Sequence, residues 1–240
     1  MKKLIFILLF ALSLKAHFLT LIPQSDYIED QNQSSLSFTM AFMHPFEQTG
    51  MTLVKPEFYE AGNKKPLNLH SVQLLNHQAW QSKLDIKKPG VYSFYVKPQP
   101  YFEKSEAKYI SHVPKVMISA YGREDGWEEP LGLDYEIVPL TKPFGLYQGN
   151  LFQGKVLRHG KAVSNVEVEV ELYNTYGLKA PTSAHVTQVI KTNEDGVFSF
   201  VMNHKGWWGF AALIVEGEKV HDDGMMYPIE NGSLLWIKAY

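Results

Sequence analysis

The chain has nine histidines and no cysteine. Any transition-metal chemistry must therefore use imidazole, carboxylate, thioether or the chain's own amine, and thiolate zinc and iron–sulfur sites are excluded. His17 is the sharpest candidate. It follows Ala16, and cleavage between the two makes it the mature N-terminus. One residue then offers two donors, the free α-amine and imidazole Nδ1. An amine of ordinary pKa about 8 gives up its proton to a metal at neutral pH. A chelate ring also binds better, entropically, than two separate donors. A third nitrogen completes a T-shaped or square-planar N3 site, which suits Cu(II) or Ni(II). The bland alternative is a frayed polar terminus.

His44 is the expected source of that nitrogen. It ends an alternating segment in Met43-His44-Pro45-Phe46-Glu47, where Pro45 forces His44 into an extended conformation. His112, before Val113-Pro114-Lys115, reads as a histidine at a strand start and is a further candidate ligand. His221 is the fourth, with Asp222 placed to orient it from behind. The same residues, with Asp223-Gly224, also read as a polar hairpin turn. His70, His77, His159, His185 and His204 have no partner at ligand spacing. Met40 falls on the buried phase of its segment and reads as core. Of the adjacent Trp207 and Trp208, one is expected inside and one free for a sugar platform. Glu167, Glu169 and Glu171 read as a solvated sheet face. No nucleophile elbow, His-Glu-x-x-His or phosphate-binding loop occurs, and the expectation is a protein that is not an enzyme.

The segments that must position these residues are strands. Residues 1–16 are the exception: Lys2 and Lys3, an uncharged apolar run from Leu4 to Leu14, then Lys15 and Ala16. That is the order of a cleavable signal peptide, although Leu14 stands where a small residue is usual. The run is too short to span a bilayer, which takes about 20 residues. The expectation is an exported, periplasmic protein that does not itself span the membrane. A net charge of −2 and no basic run exclude nucleic acid as a partner.

Cleavage leaves about 224 residues, enough for one large β domain or two of roughly 100 residues. Leu36, Phe38, Met40 and Phe42 alternate with Ser37, Thr39 and Ala41, the period of a sheet face. Val91 to Val96 follow the turn signal Pro89-Gly90, and Val116 to Ile118 form another apolar run. Pro139, Pro143, Gly145 and Gly149 give the 139–150 stretch a linker's composition. Beyond it, Val166, Val168, Val170 and Leu172 alternate with glutamates. Thr192 to Gly196 form a turn, and Phe198, Phe200 and Met202 alternate again. The reading is all-β: two immunoglobulin-like or transthyretin-like sandwich domains, 17–140 and 145–240.

Two resemblances sharpen this. Gly154 to Leu157, Gly160-Lys161-Ala162-Val163, the Val166 to Leu172 strand and Thr192 to Phe200 resemble the transthyretin-like or carboxypeptidase-regulatory sandwiches of exported proteins. That likeness covers about the last 95 residues and speaks to fold rather than function. The whole mature chain resembles the DUF4198 family. The resemblance rests on Ala16-His17-Phe18, His44-Pro45-Phe46-Glu47, Met51, Lys55-Pro56, the Gly206-Trp207-Trp208 to Ala211 segment and Leu234-Leu235-Trp236-Ile237. It implies a periplasmic component of cobalt or nickel transport that hands a divalent transition metal to an inner-membrane transporter. His17 and His44 carry over as ligands. Copper would bind such a site at least as tightly. Two rivals stand beside it, a copper histidine-brace oxidative enzyme and a carbohydrate- or protein-binding module.

Overall fold

The computed structural model describes residues 17–240; the expected signal peptide, residues 1–16, lies outside the described residues. The first strands are β1 (Phe18–Pro23), β2 (Tyr27–Ile28), β3 (Ser35–His44), β4 (Thr49–Met51), β5 (Glu57–Glu60) and β6 (His70–Leu74). Next come β7 (His77–Asp85), β8 (Gly90–Lys97), β9 (Tyr101–Glu103), β10 (Lys108–Ala120), β11 (Tyr135–Pro139) and β12 (Leu151–Arg158). The last are β13 (Lys161–Ala162), β14 (Glu167–Leu172), β15 (Gln188–Lys191), β16 (Val197–Val201), β17 (Gly206–Val220) and β18 (Met226–Ala239). The fold is all-β, as the period-two patterning requires.

Three sheets form three layers. The first has the order β1-β3-β7-β6, with β4 on β3. The large central sheet runs β15-β14-β17-β18-β10-β8-β5, with β2 and β9 on β10. The third runs β11-β12-β13, with β16 on β12. The central sheet takes strands from before and after the 139–150 stretch, joined where β10 lies parallel to β18. β11, before that stretch, is hydrogen-bonded to β12 beyond it.

The long hairpin β17–β18 shows why three layers form. Trp207, Ala211, Leu234 and Trp236 belong to the core beneath the first sheet. The alternate residues Trp208, Phe210, Ala212, Leu235 and Ile237 belong to the core beneath the third. Period two normally turns one face to water; here both faces are apolar because both are covered. Burial of each large side chain contributes about 1.5–3 kcal/mol. Trp207 and Trp208 are therefore both buried, which corrects the expectation that one would be exposed. Gly209 is required by this packing, because a Cβ there would lie 2.8 Å from Trp236 Cη2.

The acidic row on β14 is a second correction. Glu167 is exposed as expected, but Glu169 pairs with Ala211 and Glu171 with Gly209, and these two face the inner layer. Glu171 is only 1% exposed and Glu169 is half-buried. A third correction concerns His112, which lies within β10 rather than at a strand start. Pro114 does not end the strand. β9 pairs with β10 only to Ile110 and β8 only from Met117, so that edge has no partner strand at the proline and no N–H is missed there.

Candidate metal centre

The pairing of β1 with β3 builds the centre. Their antiparallel register sets Phe18 opposite Met43 and Leu19 opposite Phe42. One step further along the ladder, His17 faces His44. Directly opposed residues project from the same face, with Cβ atoms about 4.5–5.5 Å apart. The two imidazole centroids lie 4.6 Å apart with their planes at 49°. Phe42 stacks on His17 at 5.7 Å, and His17 Nε2 lies 3.5 Å from Glu103 Oε2. His44 is buried.

Burial, and then the neighbouring His44, lower the His17 pKa to about 4, against the opposing pull of Glu103. The ring is neutral at pH 7, the form in which an imidazole binds metal. Burial works to raise Glu103. Hydrogen bonds from the Ser105 hydroxyl at 2.6 Å and backbone N–H at 3.1 Å, with the charge of Lys108, bring its net shift downward.

The turn after His44 is held from the far half of the sequence. Phe46 N–H donates to Glu171 Oε2 at 3.2 Å. Asn174 N–H donates to the Pro45 carbonyl at 3.1 Å, and Asn174 Nδ2 to the Phe46 carbonyl at 3.1 Å. The Thr187 hydroxyl donates to the other oxygen of Glu171. His44 thus stands at the end of a strand whose exit is fixed by β14 and the loop after it.

His112 lies close enough to depress the His17 pKa further, but its ring is engaged elsewhere. It is 3% exposed, and its Nε2 faces Glu230 Oε1 at 3.4 Å. Glu230 in turn accepts from Lys108 Nζ at 2.6 Å. His221 belongs to a separate group. Its Nδ1 pairs with the Tyr109 hydroxyl at 2.9 Å and its ring stacks on Phe102 at 3.9 Å. It begins a turn closed by Gly224 N–H to the His221 carbonyl. Asp222 is exposed on that turn, and the neighbouring Asp223 ties down Met225 N–H and the Tyr227 hydroxyl. So His17 and His44 come together, His112 lies near them, and His221 and Asp222 stand apart. Among the described residues no group of three His, Asp or Glu side chains is arranged to hold a metal.

Sequence reasoning missed Glu103, Asn174 and Glu230, and it read Glu171 as solvated. Each acts across a long sequence separation with no spacing that marks it.

A family model described as domain of unknown function DUF4198 matches residues 14–216. No curated protein matches the sequence. Among solved structures, the D0-D1 domain of intimin is similar at 13% identity and a TM-score of 0.27, over 92% of this chain and 98% of that one. The Yersinia pseudotuberculosis adhesin InvE is similar at 11% identity and a TM-score of 0.26, over 89% and 58%. Such scores carry no argument about activity or partners. No helix among the described residues is long and apolar enough to cross a membrane.

Proposed function

The chain belongs to the DUF4198 family, and from that premise and the site geometry we propose that it is a periplasmic binder of a divalent transition metal, nickel or cobalt, serving an inner-membrane metal transporter. The metal is cargo, and the protein performs no catalysis. His17 chelates through its α-amine and imidazole, and His44 supplies the next nitrogen. Those three nitrogens suffice without a further histidine.

The observation that carries this reading is the cross-strand opposition of two imidazoles 4.6 Å apart. The burial that keeps His17 neutral supports it further. Neutral nitrogens suit nickel, cobalt and copper, and they discriminate against magnesium and calcium, which want oxygen ligands. A square-planar arrangement favours Ni(II) over Co(II). Copper would bind at least as tightly by the Irving–Williams order, so selectivity would rest on supply and on the partner. The sugar-platform reading loses its two named aromatics, since Trp207 and Trp208 are both buried.

The test is intact mass and metal content of protein purified from the periplasm, followed by nickel titration of wild type and His17→Ala. The expected result is a mass beginning at His17, one metal per chain, and at least a hundredfold weaker binding in the variant with its fold intact. Equal affinity in the variant, or a mature terminus elsewhere with no metal uptake, overturns the proposal.

A further inference from the structure

Across Phe42 from His17 lies a second feature that the metal reading does not use. A cavity of about 180 Å³ sits between the loop after β4, the segment leading into β9, and β10. Leu19, Phe42, Leu53, Pro100, Phe102 and Ile110 give it largely apolar walls, and His112 lines it as well. His112 Nδ1 is buried and has no hydrogen-bond partner among the described residues.

The rest of the ring explains which way that nitrogen faces. Cγ, Cδ2 and Nε2 of His112 press on Gly232, where a Cβ would lie 2.3 Å from Cδ2. The opposite edge, which carries Nδ1, is turned away from β18. Nε2 faces Glu230 Oε1 at 3.4 Å, and that carboxylate also accepts from Lys108 Nζ at 2.6 Å. A carboxylate accepts, so the Nε2 hydrogen lies toward Glu230, and in that tautomer Nδ1 is the ring's acceptor. A buried acceptor on an apolar wall calls for a donor. An engineered apolar cavity of about 150 Å³ accepts benzene, so the volume here matches one aromatic ring with a single polar substituent.

We infer that this cavity binds a small aromatic or heteroaromatic molecule carrying one N–H or O–H donor, packed against Phe42 and Phe102 and donating to His112 Nδ1. Glu230 is the positioning residue that presents that nitrogen. The inference does not depend on the metal reading.

The test uses metal-free mature protein, with phenol and benzene as probes titrated by NMR. Both should shift the methyl signals of Leu19 and Ile110, with phenol about tenfold tighter, the worth of one hydrogen bond. His112→Leu should bind benzene and lose the preference for phenol. Glu230→Gln keeps an acceptor opposite Nε2 and should keep the preference, whereas Glu230→Leu should weaken it. Should His112→Leu not fold, the wild-type comparison and the Glu230 pair still decide. Absence of shifts with either probe, or equal affinities for the two in wild type, overturns the inference. So does an undiminished preference in both His112→Leu and Glu230→Leu.

Discussion

Replacing Glu171 with glutamine should stabilise the protein at pH 8 and remove much of its loss of stability between pH 5 and 8. Burial raises the Glu171 pKa to about 8, against hydrogen bonds from Thr187 and Phe46 that favour the charged form; Glu169 and Glu47 raise it further. In the unfolded chain the group has its ordinary value near 4.5. Between those values the folded state holds a proton that the unfolded state has released. Stability is therefore full below about pH 4.5 and falls as pH rises through 8. At about 1.4 kcal/mol per pH unit the interval allows ~5 kcal/mol at most. Glu169, itself raised to about 7 by burial first and then by the charge of Glu230, shares part of the titration, so about 2–4 kcal/mol is expected of Glu171 alone. Glutamine mimics the protonated acid and keeps an acceptor for Phe46 N–H. The assay is urea unfolding at pH 5, 6, 7 and 8 for wild type and Glu171→Gln. The two curves of stability against pH should diverge above pH 5, with the variant the flatter. Parallel curves would refute the reasoning, because they would mean that the carboxyl is charged and solvated in the folded state.

Substitutions at two places test the packing of the central sheet. Lys115 and Glu136 form a buried pair at 2.6 Å, and Glu136 also accepts from Leu131 and Gly132 N–H at 2.9 and 3.1 Å. Lys115→Met should cost about 3–5 kcal/mol in chemical denaturation by stranding that carboxylate, and adding Glu136→Gln should recover part of the loss. A loss under 1 kcal/mol would mean that the pair is hydrated. Gly209→Ala should displace Trp236, cost about 1–3 kcal/mol and change tryptophan fluorescence. Unchanged stability and emission would count against the close approach of Gly209 to that ring.

The strands were legible in the sequence where alternation was strict. Leu36 to Phe42 and Val168 to Leu172 fall in β3 and β14, and Met40 is core as its phase required. The readings of the β14 glutamates and of the paired tryptophans failed for a shared reason. Alternation of valine with glutamate says that two faces differ, not that the polar one meets water. On β14 the polar face meets the inner layer, so Glu171 is buried. Adjacent tryptophans point to opposite faces in any strand; only the presence of a third sheet decides that both are covered. Likewise His17 and His44 were legible as residues, and their opposition follows once β1 pairs with β3. Glu103 and Glu230 were invisible, because their roles depend on strands brought together from 86 residues beyond His17 in one case, and from the final hairpin in the other.

The centre also carries a cost that the fold must offset. A buried imidazole held neutral near a second imidazole has lost most of its hydration. Burial of this kind is unfavourable for an isolated hairpin end, where the first and last residues of a pair fray readily. What counters fraying here lies outside the hairpin. Trp236 Nε1 donates to the Leu19 carbonyl at 3.2 Å two residues after His17. Asn174 and Glu171 hold the backbone just after His44. Both strand ends are thus fastened to the central sheet by residues of the second half, on either side of the opposed imidazoles. The histidine pair is consequently a property of the layered assembly rather than of the β1–β3 ladder alone. That is the arrangement a preorganised ligand site needs, because the ordering of its donors is then met by folding before any metal arrives.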